Sequence, residues 1–128
     1  MSDFSQSLAA SASGLRAQAA RLRHVSENIS NADTPGYRRK SVPFETVKSP
    51  EGELVATGRV RLDQGALTRI HDPGHPMADD TGHYESSNVD LMIEIADARE
   101  AQRSYEANLK MFDQTRQMSA GLMDLLRK

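Results

Sequence analysis

Residues 28–40 read NISNADTPGYRRK, a stretch in which a helix has to stop and the chain has to turn. Asparagine is suited to ending helices. The side chains of Asn28 and Asn31 can bond free terminal carbonyls, or their backbones can take left-handed conformations. Thr34-Pro35-Gly36 then sets a sharp turn in which Gly36 is free to adopt positive φ. Tyr37 is placed to anchor the redirected chain against a helix, and Arg38 and Arg39 to reach acidic groups on a neighbour. The segment reads as a helix stop and as a subunit contact, and the two readings are compatible.

Upstream, Phe4, Leu8, Ala12, Leu15, Ala19, Leu22 and Ile29 recur at steps of four and three, with Ser26 the one gap. This spacing predicts an amphipathic helix with an a/d seam of alternating large and small residues. Over residues 4–29 it would run about 39 Å. Ser2 is its expected N-cap, and Asp3 suits the positive end of its dipole.

Downstream the punctuation changes. All five prolines and six of the eight glycines fall between residues 35 and 82, which separates two helical arms from a broken middle. ELVATG (53–58), RVRLDQ (59–64) and ALTRI (66–70) read as short strands, with turns at Gly58 and Gln64-Gly65. A small hairpin or a three-stranded meander is expected. So few strands bury little by themselves, so they must lean on a helix or on another molecule.

The far arm opens with SSNVD (86–90), where Ser87 and Asp90 have capping-box spacing and Asn88 is an alternative cap. Leu91, Ile95, Ala98, Tyr105, Leu109, Phe112, Met118, Leu122 and Leu125 then form an apolar stripe, interrupted by Gln102 and Thr115. Glu106–Lys110 and Asp124–Lys128 are helix-supporting pairs at i,i+4. Residues 89–126 would extend about 57 Å. The expected fold is mainly α: long N- and C-terminal helices pairing as a coiled-coil layer, with a small β insert. Residues 1–33 form the first helix, 34–86 the turn, β region and connecting loop, and 87–128 the second helix.

Composition narrows the function. The chain of 128 residues has room for one modest domain, and 16 Lys+Arg against 18 Asp+Glu leave a net charge of −2. No cationic field for nucleic acid or an anionic membrane exists. Cysteine is absent, which excludes disulfides and thiolate chemistry. No apolar run approaches the roughly 20 residues of a membrane helix. The N-terminal stretch MSDFSQSLAASASGLRAQ lacks the pattern of a secretory leader. The expected protein either stays in the cytoplasm or leaves by a route without a cleaved leader.

Candidate chemistry is thin. HDPGHPMADDTGH (71–83) gathers His71, Asp72, His75, Asp79, Asp80 and His83, but its spacing matches no closed zinc pattern. Its prolines and glycines mark a polar connector. YRRK (37–40), with Lys48 nearby, has too few cations and aromatics for a polynucleotide and suits a solvated loop or a protein contact. His24 is expected at a surface or rim. Met92, Met111, Met118 and Met123 are expected as packing filler. No serine elbow or phosphate-cradling glycine loop accompanies them. The expectation is a protein that is not an enzyme, with no cofactor, metal or small-molecule substrate.

NISNADTPGYRRK resembles the signature of the bacterial flagellar rod and hook protein family, which follows an N-terminal amphipathic helix. Asn28, Ile29, Asn31, Thr34, Gly36, Tyr37 and Arg38 match it, and Ser30 stands where Ala is usual. The stretch from Asp72 to Met118 is similar to the tail of proximal-rod members, including DPGHPMAD, Gly82, NVD (88–90) and the Arg103, Tyr105, Ala107, Asn108 element. Ser87 stands where Pro is frequent.

The resemblance implies a structural subunit of the flagellar basal-body rod, the drive shaft crossing the periplasm. It also implies export through the flagellar type III apparatus without a cleaved leader, helical assembly, and terminal helices pairing as the inner layer. Its partners would be other rod proteins, with association between copies of itself left open. The expected packing set is Leu8, Leu15, Leu22 and Ile29 with Leu91, Ile95, Tyr105, Leu109, Phe112 and Leu122. The competing expectation is a cytoplasmic coiled-coil adaptor or flagellar export chaperone, which would share the amphipathic arms.

Overall fold

Two long helices frame the chain in the computed structural model, which describes residues 3–127. They are α1 (Asp3–Ser30) and α2 (Leu91–Arg127). Asp3 falls in the first turn of α1. Ser2, the expected cap, and Lys128, the expected partner of Asp124, lie outside the described residues. Six short strands lie between the helices: β1 (Lys40–Ser41), β2 (Phe44–Ser49), β3 (Gly52–Thr57), β4 (Arg61–Leu62), β5 (Arg69–His71) and β6 (His83–Glu85). Among the described residues, no helix is long and apolar enough to cross a membrane.

The helices run antiparallel. Asn28 meets Glu94, Arg21 meets Asp97, and the backbone at Gly14 lies against Asn108. The contacts that tie the two helices at this junction are polar and close-fitting. On α1 they involve Gly14, Arg21 and Asn28, each seven residues from the next. On α2 they involve Glu94, Asp97 and Asn108. This face is displaced by one position from the apolar stripe: Gly14 precedes Leu15, Arg21 precedes Leu22, Asn28 precedes Ile29, Glu94 precedes Ile95 and Asn108 precedes Leu109. One position is about 100° around a helix of 3.6 residues per turn. The cause is close fit and polar pairing. A Cβ built on Gly14 would stand 3.0–3.1 Å from the Asn108 carboxamide, so only glycine leaves that side chain its full space.

The apolar stripes are only partly covered within the chain. Leu8, Leu15, Leu22, Tyr105 and Phe112 are half-buried, while Ile29, Leu91, Ile95, Leu109 and Leu122 are exposed. The buried apolar core consists of Ala17, Val25 and Ala101. The accessible surface is 8862 Å², against roughly 6,700 Å² for a compact monomer of this mass.

A second face of α1 supports the β region. The Ser13 hydroxyl accepts the Val55 N–H at 3.1 Å and donates to the Ala10 carbonyl at 2.7 Å. His24, expected at a rim, is buried instead, its Nδ1 4.0 Å from the Glu27 carboxylate.

The strands pair in twos, so the three-stranded meander does not form. ELVATG is a strand, but its partner is the upstream FETVKS, in register from Phe44↔Thr57 to Ser49↔Gly52. The hairpin turns at Pro50-Glu51, with Gly52 at φ +107, a conformation that glycine adopts without a side-chain penalty. Gly58 does not turn the chain as expected. Its N–H extends the ladder to the Pro43 carbonyl at 2.9 Å, and a Cβ there would collide with Glu45 and Pro43. Of the other two stretches only Arg61–Leu62 and Arg69–His71 are strands, paired with β1 and with β6.

Helix α2 starts under a different cap from the one expected. The Asp90 carboxylate accepts the Met92 N–H at 3.0 Å, and its carbonyl accepts the Glu94 N–H at 3.0 Å. That is N-cap geometry. Ser87 and Asn88 are committed elsewhere.

Candidate functional site

The residues that end α1 and redirect the chain converge on the first turns of α2. Asn28 is completely buried and stands at the centre. Its Oδ1 accepts from Tyr37 Oη at 2.8 Å and from the Lys40 N–H at 2.9 Å. Its Nδ2 donates to the Lys40 carbonyl at 2.9 Å and to Glu94 Oε2 at 3.3 Å. A carboxamide offers two donors and one bifurcating acceptor, so all of its capacity is used.

Asn31 closes the helix end. Its Nδ2 donates to the Glu27 carbonyl at 2.9 Å and its Oδ1 accepts from Thr34 Oγ1 at 3.1 Å. Among the described residues no residue other than glycine has positive φ. Of the two ways asparagine can end a helix, the side-chain bond is the one used. Gly36 takes φ +77, and its N–H reaches the Ser86 carbonyl at 3.0 Å. Pro35 precedes it, half-buried, and the Tyr37 N–H returns to the Thr34 carbonyl at 3.1 Å.

Glu94 is wholly buried, and only compensating charge makes that tolerable. Arg39 supplies it: Nε donates to Glu94 Oε1, and Nη2 donates to Asp97 Oδ2 at 2.8 Å. Burial disfavours the guanidinium, yet contact with Glu94 and Asp97 outweighs it and raises its pKa above the ordinary value. Arg21 joins from α1, 3.4 Å from Asp97 and 3.5 Å from Glu100. At the rim, the Lys40 ammonium lies 3.0 Å from Glu27. That hydrogen bond holds the Glu27 carboxyl below its usual range and raises Lys40. Burial raises the Tyr37 phenol, which keeps it the donor to Asn28.

The connector before α2 locks onto the same turn. Ser87 Oγ donates to the Ala32 carbonyl. Asn88 Oδ1 accepts the Arg39 N–H at 2.7 Å. Asn88 Nδ2 and Arg38 Nη1 share the Asp63 carbonyl, at 3.0 and 2.9 Å. Arg38 and Arg39 therefore have partners inside the chain.

The arrangement is a clamp. It fixes the angle and register between two helices that share little apolar surface. The sequence pointed to Asn28, Asn31, Gly36 and Tyr37 and to acidic partners for Arg39, but the roles of Lys40, Ser87, Glu94 and Asp97 were missed. One signal was present: Glu94, Ala101 and Asn108 recur every seven residues beside the more conspicuous leucines.

The histidine-rich loop has other geometry. His71 and His83 face each other across β5–β6 with ring centroids 4.7 Å apart, and His75 stacks on Tyr84 at 3.8 Å. Asp79 accepts from the Thr81 hydroxyl at 2.6 Å and from the His83 N–H at 3.1 Å. These bonds lower its carboxyl from 3.8 to about 2. Among the described residues, no group of three or more His, Cys, Asp or Glu is disposed to hold a metal ion.

Both halves of the clamp match known families. A family model described as flagella basal body rod protein covers residues 8–38, and one described as flagellar basal body rod FlgEFG protein C-terminal covers residues 80–125. The flagellar basal-body rod protein FlgC of Agrobacterium fabrum is 47% identical over 90% of this chain and 89% of its own. The FlgC of Salmonella typhimurium is 33% identical over 83% and 85%, and that of Aquifex aeolicus 34% identical over 92% and 93%. This chain belongs to the flagellar basal-body rod protein family, within its FlgC group.

Proposed function

We propose that this chain is a structural subunit of the proximal part of the flagellar rod. It assembles with related rod proteins and with copies of itself into a helical shaft that transmits torque. The observation that carries the reading is the incomplete cover of the helix pair: Asn28 and Glu94 are wholly buried at its seam, while Ile29, Leu91, Ile95, Leu109 and Leu122 are exposed. An accessible surface about 2,100 Å² above that of a compact monomer is the size of a substantial protein interface. Neighbouring chains that cover Ile29, Leu91, Ile95, Leu109 and Leu122 would complete the helices as a coiled-coil layer. Contacts of the head-to-tail kind build an open helix rather than a closed ring. The signature turn from Asn28 to Arg38 serves this by setting the helix angle.

Family membership also supports passage through the flagellar type III export apparatus without a cleaved leader and residence in the periplasmic rod. A shaft has no need of catalysis, cofactor or small-molecule substrate. The adaptor and chaperone readings have no support from the relatives.

Swimming assays with chromosomal variants test the proposal. Leu109 is exposed, so Leu109→Asp leaves the chain foldable while placing a charge where a neighbour should pack. Loss of rod assembly and motility, with normal synthesis, is expected for Leu109→Asp and Leu22→Asp. Normal swimming by both variants would overturn the packing scheme.

A further inference from the structure

We infer that the outer edge of β2 is a docking strand for the β2 of a second copy of this chain, the two pairing antiparallel about Thr46. Hairpin geometry sets which groups are free. The Gly58 N–H bonds the Pro43 carbonyl, so odd-numbered residues of β2 carry the ladder to β3. Residues alternate in an antiparallel pair between bonding inward and pointing outward. The main-chain groups of Phe44, Thr46 and Lys48 therefore point away from β3. The opposite edge of the hairpin follows the same parity, since the outward N–H of Val55 is taken by Ser13 of α1. Among the described residues no hydrogen bond reaches the outward main-chain groups of β2, and nearly every residue along it is exposed. Such an edge is a template for another strand.

The register identifies the occupant. Two outward edges pair only when even-numbered residues face even-numbered residues. Centring on Thr46 sets Thr46 opposite Thr46, Phe44 opposite Lys48, and Glu45 opposite Val47. Each combination is favourable or neutral: hydroxyl with hydroxyl, ammonium with ring face, and a carboxylate with no like charge. Sliding two residues one way opposes Glu45 to Glu45. Sliding two the other way meets Pro50, which has no N–H to give. The centred register forms about six main-chain hydrogen bonds. The area is small, so the contact belongs to the weak, transient class. It closes on two copies, which makes it distinct from the head-to-tail contacts of a shaft.

The chain has no cysteine of its own, so disulfide trapping reads the register directly. Purified full-length Glu45→Cys and Val47→Cys variants are oxidised mildly, alone and mixed. Directly opposite Cβ atoms suit a disulfide, so the mixture should form cross-linked dimers roughly tenfold faster than either variant alone. Adding Phe44→Lys to both partners places ammonium opposite ammonium and should slow trapping by a similar factor. Adding Lys48→Phe as well swaps the pair and should restore the rate. Equal rates in mixed and unmixed samples, or trapping unmoved by Phe44→Lys, would overturn the inference. Neither result bears on the swimming phenotype of Leu109→Asp, so this proposal and the rod reading fail separately.

Discussion

Asn28 stands where α1, the turn and α2 meet, and its four hydrogen bonds leave no spare capacity for water. Asn28→Ala removes both sides of that junction and strands Glu94 and Tyr37. Leaving buried polar groups unpaired costs about 2–4 kcal/mol in total, which urea unfolding followed by far-UV circular dichroism would register. Arg39→Ala is harsher in kind, because it leaves the Glu94 carboxylate buried without a counter-charge. A loss of about 3 kcal/mol is expected, and Arg39→Met combined with Glu94→Leu should recover most of it. An Arg39→Ala variant as stable as the parent would show that Glu94 is not held by charge. Asp79 makes a prediction about pH. Its folded-state carboxyl is depressed to about 2 from 3.8, so the fold favours the ionised form. Its stabilisation of the loop is present above the ordinary value and is lost as pH falls through about 2. The Thr81 and His83 amide resonances should titrate with a midpoint near 2, and a midpoint near 4 would contradict this.

The pairing of α1 with α2 depends on a hole at Gly14 filled by Asn108. Gly14→Ala adds a methyl against the end of a flexible side chain while gaining about 1 kcal/mol of helix propensity, so its net effect should be small. Gly14→Leu cannot be accommodated, and a loss of about 2 kcal/mol or more of stability is expected from overpacking. Equal melting profiles for the two variants would place the contact elsewhere. The helices themselves were plain in the sequence, because Pro and Gly cluster between them and apolar residues recur at helical spacing. Which face turns inward was not. Apolar periodicity marks the face that avoids water in the final assembly, and here that face is only partly used inside one chain. The inward face is specified by fit at Gly14 and by charge at Glu94, and neither adds to hydrophobic periodicity. The hairpin shows the same limit. Phe44–Ser49 alternates weakly and both of its faces are exposed, so pattern alone did not mark it, whereas Arg59–Leu62 alternates well and forms only a two-residue strand.

Taken whole, the molecule is a helical hairpin with polar residues buried at its seam and many of its large apolar residues exposed. With Ala17, Val25 and Ala101 as its buried apolar core, the free chain has little to offset the entropy of ordering two long helices. Its ends should be the least protected parts in amide exchange and should gain protection on assembly. On the proposed reading, the same residues that weaken the free chain would supply the contacts that stiffen the shaft. The most direct test is imaging of intact basal bodies at side-chain detail. Leu91, Ile95, Leu109 and Leu122 should each be enclosed by side chains of adjacent subunits, with the Asn28–Glu94–Arg39 clamp unchanged within every copy. A shaft in which those four leucine and isoleucine side chains face open solvent would contradict the account.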